Sequence, residues 1–309
     1  MSKYLVTGGA GFIGSNIVKE LLARKEQVRV LDDYSTGKRE NLIPFKDDQN
    51  LEIIEGDLRS FHIVRGVVKG VDYVLHQGAL PSVPRSIKDP ITSNDVNING
   101  TLNILEASRE FGVKRMVFAS SSSIYGNSEI MPKVETMPVS PMSPYAVTKY
   151  AAERYCQIFF QLYGLETVCL RYFNVFGPNQ DPTSQYSAVI PKFIKLIKEG
   201  KQPVIYGDGT QSRDFTYVSN NVEANILACI TKNIGGEVFN IACGKRYSLI
   251  DLVNNINFLL GTNVQPIFAD TRPGDVKHSL AGIDKSKSLL KYNVRTHFLD
   301  GLKTLIDEC

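Results

Sequence analysis

The stretch YLVTGGAGFIGS, residues 4–15, decides how the chain begins to fold. An apolar run at Tyr4–Val6 is typical of a buried strand, and Phe12-Ile13 begins a helical pattern. Four glycines follow the strand: Gly8, Gly9 and Gly11 precede the helical pattern, and Gly14 lies just inside it. Such a turn lets backbone approach a pyrophosphate, and the N–H groups at the helix start can bind it. A flexible loop would also contain glycines, but the strand and the helix around this one favour nucleotide binding.

An acidic residue ends the second apolar run, Val28–Leu31. Asp32 stands 18 residues past Gly14, where a carboxylate that binds the ribose hydroxyls of a dinucleotide is expected. The same charge repels a 2′-phosphate, so the sequence favours NAD over NADP as the cofactor. Asp33 could share this role, and Arg39 leaves some room for NADP.

Short apolar runs alternate with helical patterns over the first 170 residues. The runs are Tyr4–Val6, Val28–Leu31, Leu51–Ile54, Val71–Leu75, Met116–Ala119 and Thr167–Leu170. They are rich in Val, Ile and Leu and alternate only weakly, as strands buried on both faces do, and helical crossovers imply parallel pairing. We therefore predict an α/β protein with a Rossmann-type doubly wound parallel sheet.

Proline and glycine interrupt this pattern after Asn174. Further strands are predicted at Phe215–Val218, Val238–Ile241 and Val264–Phe268, with helices after Pro191, near 222–231, near 249–260 and at the C-terminus. We predict a smaller, discontinuous α/β substrate-binding domain beside the first one. The dinucleotide-binding domain then comprises residues 1–173 and 214–244, and the second domain comprises residues 174–213 and 245–309.

Composition excludes several classes of protein. The 309 residues contain 35 Lys and Arg against 32 Asp and Glu, which is too balanced for a strongly basic nucleic-acid binder. No apolar run is long enough to cross a membrane, and the N-terminus resembles no secretory leader. Five cysteines without a CxxC pair indicate reduced thiols in the cytoplasm, and four histidines without HxxxH spacing predict no metal site.

A tyrosine, a lysine and a run of serines form a second motif. Ser143-Pro144 can begin a helix that places Tyr145 and Lys149 one turn apart on the same face. A nearby ammonium stabilises a phenolate and lowers the pKa of the tyrosine. A tyrosine–lysine surface pair is the alternative. Ser120–Ser123 follow the fifth strand at the ligand-binding edge of the sheet, which favours a hydroxyl relay.

Taken together, these motifs resemble the extended short-chain dehydrogenase/reductases, and within them the nucleotide-sugar 4-epimerases. The matching stretches are TGGAGFIGS (7–15), LDDYSTG (31–37), GDL (56–58), SSSSIYG (120–126), SPYAVTKY (143–150), LRYFNVFGP (170–178), GDGTQSRDFTYV (207–218) and RPGD (272–275). The resemblance is greatest to bacterial epimerases that act on UDP-N-acetylglucosamine. It rests on SVPRSIKDP (82–90), RYFNVFGPNQDP (171–182), YSAVIPKFI (186–194) and GDVKHS (274–279).

The resemblance implies three catalytic residues. Tyr145 matches the base that takes the proton of the sugar C4 hydroxyl, Lys149 matches the residue that binds the nicotinamide ribose and lowers the tyrosine pKa, and Ser121 matches the hydroxyl that hydrogen-bonds the same C4 group. Related dehydratases carry Asp and Glu where this chain has Ser122 and Ser123. Serine cannot protonate a departing C6 hydroxyl as a carboxylic acid can, so this difference argues against 4,6-dehydration.

The resemblance also implies two sets of binding residues. Those expected to contact NAD are Gly8, Gly11, Phe12, Ile13, Gly14, Asp32, Asp33, Ser35, Thr36, Gly37, Asp57, Leu58, Gln77, Ala79, Asn97, Tyr145, Lys149 and Tyr172. Those expected to contact a UDP-sugar are Ser82, Arg85, Ser121, Ser122, Ser123, Tyr145, Asn174, Ala188, Val189, Val204, Tyr206, Arg213, Arg272, Asp275 and Ser279. A homodimer through the helix near Thr101–Phe111 and the helix from Tyr145 is likewise implied.

Ser279 matches the residue beside the C2 substituent of the sugar. A large aromatic side chain there would exclude an N-acetyl group, whereas serine leaves room for it. The sequence therefore predicts interconversion of UDP-GlcNAc and UDP-GalNAc, and UDP-glucose with UDP-galactose stays open. The alternatives are a UDP-glucose or UDP-glucuronate 4-epimerase without N-acetyl preference, a non-catalytic NAD-binding sensor, and a reductase that consumes NADPH.

Overall fold

The structure, a computed structural model, describes residues 1–181, 189–271 and 277–308. Its strands are β1 (Lys3–Thr7), β2 (Gln27–Asp32), β3 (Leu51–Glu55), β4 (Tyr73–His76), β5 (Arg115–Ser121), β6 (Thr167–Tyr172), β7 (Val175–Phe176), β8 (Val204–Tyr206), β9 (Ser212–Arg213), β10 (Thr216–Tyr217), β11 (Val238–Ile241), β12 (Tyr247–Ser248) and β13 (Ile267–Ala269).

Its helices are α1 (Phe12–Ala23), α2 (Phe61–Val68), α3 (Val83–Lys88), α4 (Pro90–Asn94), α5 (Gly100–Glu110), α6 (Pro144–Tyr163), α7 (Val189–Lys198), α8 (Val218–Ile230), α9 (Leu249–Leu260), α10 (Asp284–Ser288) and α11 (Phe298–Glu308). A π-helical turn at Asp95–Asn99 joins α4 to α5. Turns of 3₁₀ helix occur at Arg39–Asn41, Ile43–Phe45 and Ser122–Tyr125.

Seven strands form one parallel sheet in the order β3-β2-β1-β4-β5-β6-β11. This is the doubly wound order, and it reverses between β1 and β4, where Thr7 pairs with His76. The predicted Rossmann-type α/β fold is confirmed. Because ligands bind beside the carboxyl ends of the strands where the order reverses, the candidate site belongs next to Thr7 and His76.

Both faces of the sheet are covered, which explains why its strands are apolar throughout. On one face the buried side chains of α1 and α8 pack against the sheet. On the other face α2, α5 and α6 supply the buried residues. A third cluster unites β7, α7, α9 and α11 around Phe176 and Phe298. The small sheets β10–β7, β12–β9 and β13–β8 lie in this part of the chain.

Three predicted strands include residues that the structure leaves outside the strand. The fourth strand begins at Tyr73, because Val71 is still held in the turn after α2 by a hydrogen bond from its N–H to Val68 O. The predicted strand Phe215–Val218 is reduced to Thr216–Tyr217, since Val218 already belongs to α8. Val264 is tied to the end of α9 through both its N–H and its carbonyl by Asn257, so β13 begins only at Ile267.

Within residues 1–181, 189–271 and 277–308, no helix is both long and apolar enough to cross a membrane. The same residues contain no group of three His, Cys, Asp or Glu side chains that could hold a metal ion. Four of the cysteines are free thiols: Cys156, Cys169, Cys229 and Cys243.

Candidate active site

The glycine turn after β1 places backbone N–H groups at the edge of the sheet. Gly8 has a φ of +66°, a conformation that favours glycine, and Gly11 stands at the N-terminus of α1 without a side-chain cap. A Cβ at Gly14 would lie 2.0 Å from Gly8 O, so only glycine lets α1 start this close to the turn. The uncapped helix start can therefore bind an anion, and the turn fits the pyrophosphate of a dinucleotide.

Asp32 ends β2 beside this turn, and its carboxylate is nearly fully buried. Oδ2 accepts the N–H of Ala10 and Oδ1 accepts the N–H of Tyr34, both at 2.9 Å. Burial raises the pKa of Asp32, while these two hydrogen bonds lower it in part. Each carboxylate oxygen keeps a second lone pair that can accept a ribose hydroxyl, so the side chain fits the predicted contact with NAD.

A cleft of about 720 Å³ extends from the glycine turn to Tyr145. Small-molecule and cofactor sites span roughly 300–1,000 Å³, so a dinucleotide is in the right size class. The predicted NAD contacts that line it are Gly8, Gly11, Phe12, Ile13, Gly14, Asp32, Asp33, Ser35, Thr36, Asp57, Leu58, Gln77, Ala79, Tyr145, Lys149 and Tyr172. Residues far apart in the sequence are thus brought to one surface.

Two predicted NAD contacts, Gly37 and Asn97, are not among the residues that line the cleft, and their contact with the cofactor stays a prediction. Gly37 lies behind Asp32, and a Cβ there would be 2.8 Å from Asp32 Oδ1. Asn97 is buried and holds the Leu80 peptide from both sides: its Oδ1 accepts the N–H at 2.7 Å, and its Nδ2 donates to the carbonyl at 3.1 Å. Asn97 therefore supports the cleft wall at Leu80.

Ten residues of the cleft were not among the predicted NAD or sugar contacts: Leu31, Gly56, Gly78, Leu80, Pro81, Val96, Ala119, Ser120, Gln180 and Asp181. Most of them adjoin predicted residues at strand ends, and their position after a strand could have identified them. Gln180 and Asp181 follow β7, a strand of two residues that the sequence analysis does not predict, so the sequence contained no such signal for them. They reach the cleft because Asn179 Nδ2 donates to Ser15 Oγ at 3.0 Å and Lys38 pairs with Asp181 at 3.1 Å.

A buried chain of hydrogen bonds supports the switch point of the sheet. Gly78 N–H donates to Thr7 Oγ1 at 3.1 Å, and Thr7 Oγ1 lies 2.6 Å from His76 Nδ1. On the other side His76 Nε2 lies 3.0 Å from Thr101 Oγ1, which donates to Asn97 O at 2.6 Å. Since the Thr101 hydroxyl donates onward, it accepts from His76, which fixes the proton on Nε2. Burial lowers the pKa of His76 to about 3, so this imidazole is neutral.

Helix α6 carries the tyrosine and the lysine. Ser143 Oγ accepts the N–H of Ala146 at 3.1 Å, which caps the helix start, and Pro144 occupies the first position. Tyr145 is held there by a further contact, because its N–H donates to Ser86 Oγ at 3.0 Å. The tyrosine thus sits in the first turn, where α3 and α6 meet.

Ser121, at the end of β5, lies beside the Tyr145 side chain and lowers its pKa. Its hydroxyl oxygen already accepts from the N–H of Ser123 at 3.2 Å and from the Ser123 hydroxyl at 2.9 Å. Its own proton therefore remains available to the phenol oxygen. This geometry agrees in sign with the lowering effect of Ser121 on the pKa of Tyr145.

The effect of Lys149 on the pKa of Tyr145 stays a prediction. Burial raises the pKa of Tyr145, and Ser121 is the group that lowers it in part. Lys149 Nζ instead donates to Ala119 O at 2.8 Å, and burial lowers the pKa of this lysine to about 8. Both side chains line the cleft, so Lys149 still presents a buried ammonium one helical turn from Tyr145.

The predicted substrate contacts fall into separate groups. Ser82, Arg85 and Tyr145 line the cleft, whereas Ser121, Ser122 and Ser123 stand just behind its wall at Ser120. Val204 and Tyr206 belong to β8 and Val189 begins α7, none of them at the cleft. Ala188, Arg272 and Asp275 lie outside the described residues.

Asn174 and Ser279 are brought together although they are far apart in the sequence. Asn174 Nδ2 donates to Ser279 Oγ at 3.4 Å and to Asp214 O at 3.3 Å. The N–H of Ser279 donates to Ser212 O at 2.9 Å, and Arg213 Nη1 donates to Lys277 O at 3.1 Å. Three of the predicted substrate residues therefore form one contiguous group.

Three comparisons place the chain among known proteins. Residues 4–242 match the family model of the NAD dependent epimerase/dehydratase family. A UDP-N-acetylglucosamine 4-epimerase from Methanobrevibacter ruminantium M1, solved with UDP-N-acetylmuramic acid, superposes with a TM-score of 0.95 at 41% identity, covering 99% of this chain and 97% of that one. A UDP-glucose 4-epimerase from Thermotoga maritima, solved with UDP-glucose, gives a TM-score of 0.93 at 35% identity and covers 99% and 97%.

A curated UDP-glucuronate 4-epimerase from Thermodesulfobacterium geofontis is 35% identical over 316 residues, which span 99% of this chain and 96% of that protein. The motif resemblance to nucleotide-sugar epimerases of the short-chain dehydrogenase/reductase type is confirmed. The glycine turn, the acid at the end of β2 and the cleft between them fit the dinucleotide that the family name specifies. The chain therefore belongs to the NAD-dependent epimerase/dehydratase family, and NAD is its cofactor.

Proposed function

We propose that this enzyme interconverts UDP-GlcNAc and UDP-GalNAc by inverting C4 of the sugar. The class, an NAD-dependent UDP-sugar 4-epimerase, is supported by the family and by relatives of that activity that match nearly the whole chain. The choice of sugar is our proposal. The observation that supports it is the small side chain of Ser279, which accepts a hydrogen bond from Asn174. The resemblance implies that this residue lies beside the C2 substituent.

The proton chemistry rests on Tyr145 and Ser121. Tyr145 takes the proton of the C4 hydroxyl and later returns it, while the Ser121 hydroxyl stabilises the phenolate by donating to its oxygen. Bound NAD supplies the hydride acceptor and the hydride donor for C4. Since the reaction is redox-neutral overall, the cofactor is not consumed.

Lys149 supplies positive charge to the same part of the cleft. Its ammonium is buried and anchored to Ala119 O, one helical turn from the tyrosine. We propose that it binds the nicotinamide ribose and offsets the negative charge that develops on Tyr145. Ser122 and Ser123 stand where related dehydratases carry carboxylic acids, and this difference favours epimerisation over dehydration.

The enzyme must bind the UDP part of the substrate tightly and the sugar part loosely. The keto sugar has to turn and present its other face before it is reduced. We propose that Arg213, Arg272 and Asn174 hold the diphosphate, with Asp275 on the uridine ribose and Val204 and Tyr206 at the uracil edge. Paired N–H groups of arginine suit a diphosphate. Support comes from the group that Asn174 and Ser279 form with the Ser212–Arg213 segment.

The decisive experiment is NMR of purified protein with UDP-GlcNAc and, separately, UDP-glucose, without added cofactor. We expect conversion of UDP-GlcNAc to its galacto epimer, with a larger kcat/KM than for UDP-glucose. Ser279→Tyr should lower kcat/KM for UDP-GlcNAc more than for UDP-glucose, because the ring would fill the space of the N-acetyl group. Ser288→Tyr, an exposed change on α10, is the control.

Other outcomes identify the alternatives. A preference for UDP-glucose, unchanged in Ser279→Tyr, would replace our proposal by a UDP-glucose 4-epimerase. Turnover of UDP-glucuronate alone would make the chain a UDP-glucuronate epimerase. Binding of NAD without turnover of any of the three sugars would support the non-catalytic sensor.

We also propose that the enzyme is a homodimer and is located in the cytoplasm. We further propose two domains: residues 1–173 with 214–244 form the dinucleotide-binding domain, and residues 174–213 with 245–309 form the substrate-binding domain. The dimer is supported by exposed apolar side chains on α6, among them Val147, Tyr155 and Leu162. The location is supported by the free thiols. Light scattering of the purified enzyme at micromolar concentration would give twice the mass of the 34.4 kDa chain if the dimer forms.

A further inference from the structure

A buried carboxylate next to the proposed UDP-binding residues has no part in the proton chemistry. Asp214 lies between β9 and β10 and exposes none of its surface. Its Oδ1 accepts the N–H of Cys243 at 3.0 Å, and its Oδ2 accepts the N–H groups of Gly244 at 3.0 Å and Ala281 at 3.2 Å. A further hydrogen bond comes from the Lys245 backbone. Two segments distant from Asp214 in the sequence therefore meet on its side chain.

The turn at residues 243–245 is suited to a negative charge. Gly244 has a φ of +69°, in the left-handed region that favours glycine, and successive N–H groups in such a turn can point to the same side. Replacing the carboxylate by a group with one acceptor oxygen would leave buried N–H groups without a partner, which costs more than an ordinary hydrogen bond contributes. The carboxylate of Asp214 thus joins this turn, the segment around Ala281 and β9.

The segments that Asp214 joins carry residues proposed to bind the substrate. Arg213 precedes it in the chain, and Asn174 Nδ2 donates to its carbonyl oxygen at 3.3 Å. Ser279 stands two residues before the position that donates to the carboxylate, and its own N–H donates to Ser212 O at 2.9 Å. The carboxylate therefore holds the strand that carries Arg213 against the segment that carries Ser279.

We propose that Asp214 is a positioning residue for UDP: its carboxylate fixes β9 and the segment around Ser279 in the arrangement that binds the diphosphate. The inference rests on the proposed function, because it takes Arg213 and Asn174 as residues that hold the diphosphate. Asp214 is not among the residues that line the cleft for NAD, so its loss should weaken UDP binding and leave the cofactor in place.

The first test is Asp214→Asn, which keeps the shape of the side chain but loses the charge and one acceptor oxygen. Asp208→Asn is the matched control, because Asp208 precedes the same strand and accepts the N–H and the hydroxyl of Thr210, yet is exposed. The measurements are KM and kcat for UDP-GlcNAc, bound NAD after purification, and the Kd of UDP-GlcNAc and of UDP-glucose. The Kd is measured in a Tyr145→Phe background to suppress turnover of the sugars.

We expect Asp214→Asn to raise KM and both Kd values about tenfold to hundredfold. The kcat at saturating substrate and the NAD content should stay close to wild type, because Tyr145 and the cofactor cleft are unchanged. Asp208→Asn should equal wild type throughout. This split between KM and kcat distinguishes positioning at the UDP site from a general loss of structure.

The wild-type site offers a second test that needs no substitution at Asp214. Burial raises the pKa of Asp214 to about 7, although the hydrogen bonds from backbone N–H groups lower it in part. As the pH falls from about 8.5 to about 6.5 the carboxyl group takes up a proton, and one of its oxygens becomes a donor that faces N–H donors. The Kd of UDP-GlcNAc should therefore rise on acidification, by at most about tenfold per pH unit for one proton. This rise should be missing in Asp214→Asn.

Other groups close to Asp214 do not produce this rise. The Cys243 thiol and the Tyr292 phenol lie near the carboxylate, and burial raises the pKa of both, so they stay protonated over this range. The cations beside Asp214 and its turn in the chain, Arg213 and Lys245, are also present in Asp214→Asn. They cannot make the two proteins differ.

Two basic groups further away act with the opposite sign. Desolvation and the cations around it lower the pKa of His278 from 6.5, and burial lowers the pKa of Lys149 to about 8. Each gains positive charge as the pH falls, which would strengthen the binding of an anionic diphosphate. A weaker binding on acidification therefore points to Asp214.

Three results would overturn the inference. Asp214→Asn with the Kd values of wild type is the first. Loss of NAD or of kcat by the same factor as the loss of UDP-GlcNAc binding is the second, since Asp214 would then support the fold as a whole. If Asp214→Asn does not fold, a wild-type Kd that does not rise on acidification is the third.

Failure of the proposed function would look different. Wild type would then not turn over UDP-GlcNAc, while the Kd of UDP-glucose, which shares the UDP part, would still test Asp214.

Discussion

At the scale of single residues, the least expected feature is that the surroundings of Tyr145 oppose its ionisation. Burial raises its pKa, and the neutral hydroxyl of Ser121 lowers it in part. Catalytic groups are often placed where desolvation and a specific partner act in opposite directions. Activity should therefore depend on that hydroxyl as well as on the lysine.

Tyr145→Phe removes only the phenol oxygen and tests its role as acid and base. We expect kcat to fall by about 100-fold to 10,000-fold, the usual contribution of a positioned proton donor and acceptor, while NAD stays bound. Turnover by NMR and NAD released on denaturation are the measurements. Tyr155→Phe, on the exposed side of α6, is the control, and a wild-type rate in Tyr145→Phe would refute the assignment.

His76 should make the fold sensitive to acid. Burial lowers its pKa to about 3 from about 6.5, so between these values the unfolded chain binds a proton that the folded protein does not. Stability should therefore decrease as the pH falls below 6.5, by about 2 kcal/mol between pH 6.5 and pH 5. Above about pH 7.5 the residue contributes almost no pH dependence, because the unfolded imidazole is then neutral as well.

Urea unfolding of wild type and His76→Gln at several pH values measures this effect. The variant should be less stable at pH 7, because the contacts of His76 with Thr7 and Thr101 change, yet its stability should vary less between pH 6.5 and 5. His62→Gln, at an exposed position on α2, should keep the wild-type slope. Equal slopes in all three proteins would exclude His76 as the cause.

At the scale of elements, the glycine turn and the start of α1 depend on contacts that exclude any side chain. Gly14→Ala places a Cβ 2.0 Å from Gly8 O, so the turn or the helix must shift. We expect a loss of about 1–3 kcal/mol in unfolding free energy, as for other overpacked positions, together with loss of bound NAD. Thermal unfolding and the NAD content of the purified protein are the readouts.

The matched control is Gly66→Ala in α2, where a Cβ meets no atom within 4 Å. Alanine is the better helix former there, so this variant should gain about 0.5–1 kcal/mol and keep its NAD. If Gly14→Ala retained full NAD content, the close contact of turn and helix would not be what forms the pyrophosphate site.

At the scale of the whole molecule, one buried network connects α6 to the segment that carries Ser279. Ser120 donates to Glu153 at 2.7 Å, and Arg171 donates to the same carboxylate through two nitrogens at 2.6 and 3.0 Å. Arg171 also donates to Tyr125, which donates to Asn240, and Asn240 donates to Gly282 O. The network therefore joins α6, β5, β6 and β11.

Glu153→Gln leaves the Arg171 guanidinium buried without a counter-charge. We expect a loss of about 3–5 kcal/mol in unfolding free energy, as when one partner of a buried ion pair is removed. Glu106→Gln, which breaks the exposed pair with Arg109, should cost less than about 1 kcal/mol. Urea unfolding distinguishes the two, and a loss in Glu153→Gln as small as in Glu106→Gln would show that the network is not what couples these elements.

The sequence alone determined the sheet and its helices, because local chemistry specifies them. The six apolar runs became six strands of the sheet, and the glycines at 8, 11 and 14 mark the turn that only their lack of a Cβ allows. Asp32 and the Tyr145–Lys149 spacing could be located for the same reason: each is defined by its distance along the chain from a strand end or a helix start.

Tertiary structure decided what no local pattern specifies. Asn97 holds Leu80 through two hydrogen bonds, Gln180 enters the cleft from a segment after β7, and Lys149 donates to a strand carbonyl. The physical reason is that burial, hydrogen-bond partners and pKa shifts depend on groups distant in sequence. They exist only once α6, the strand ends and the segment around Ser279 have packed together.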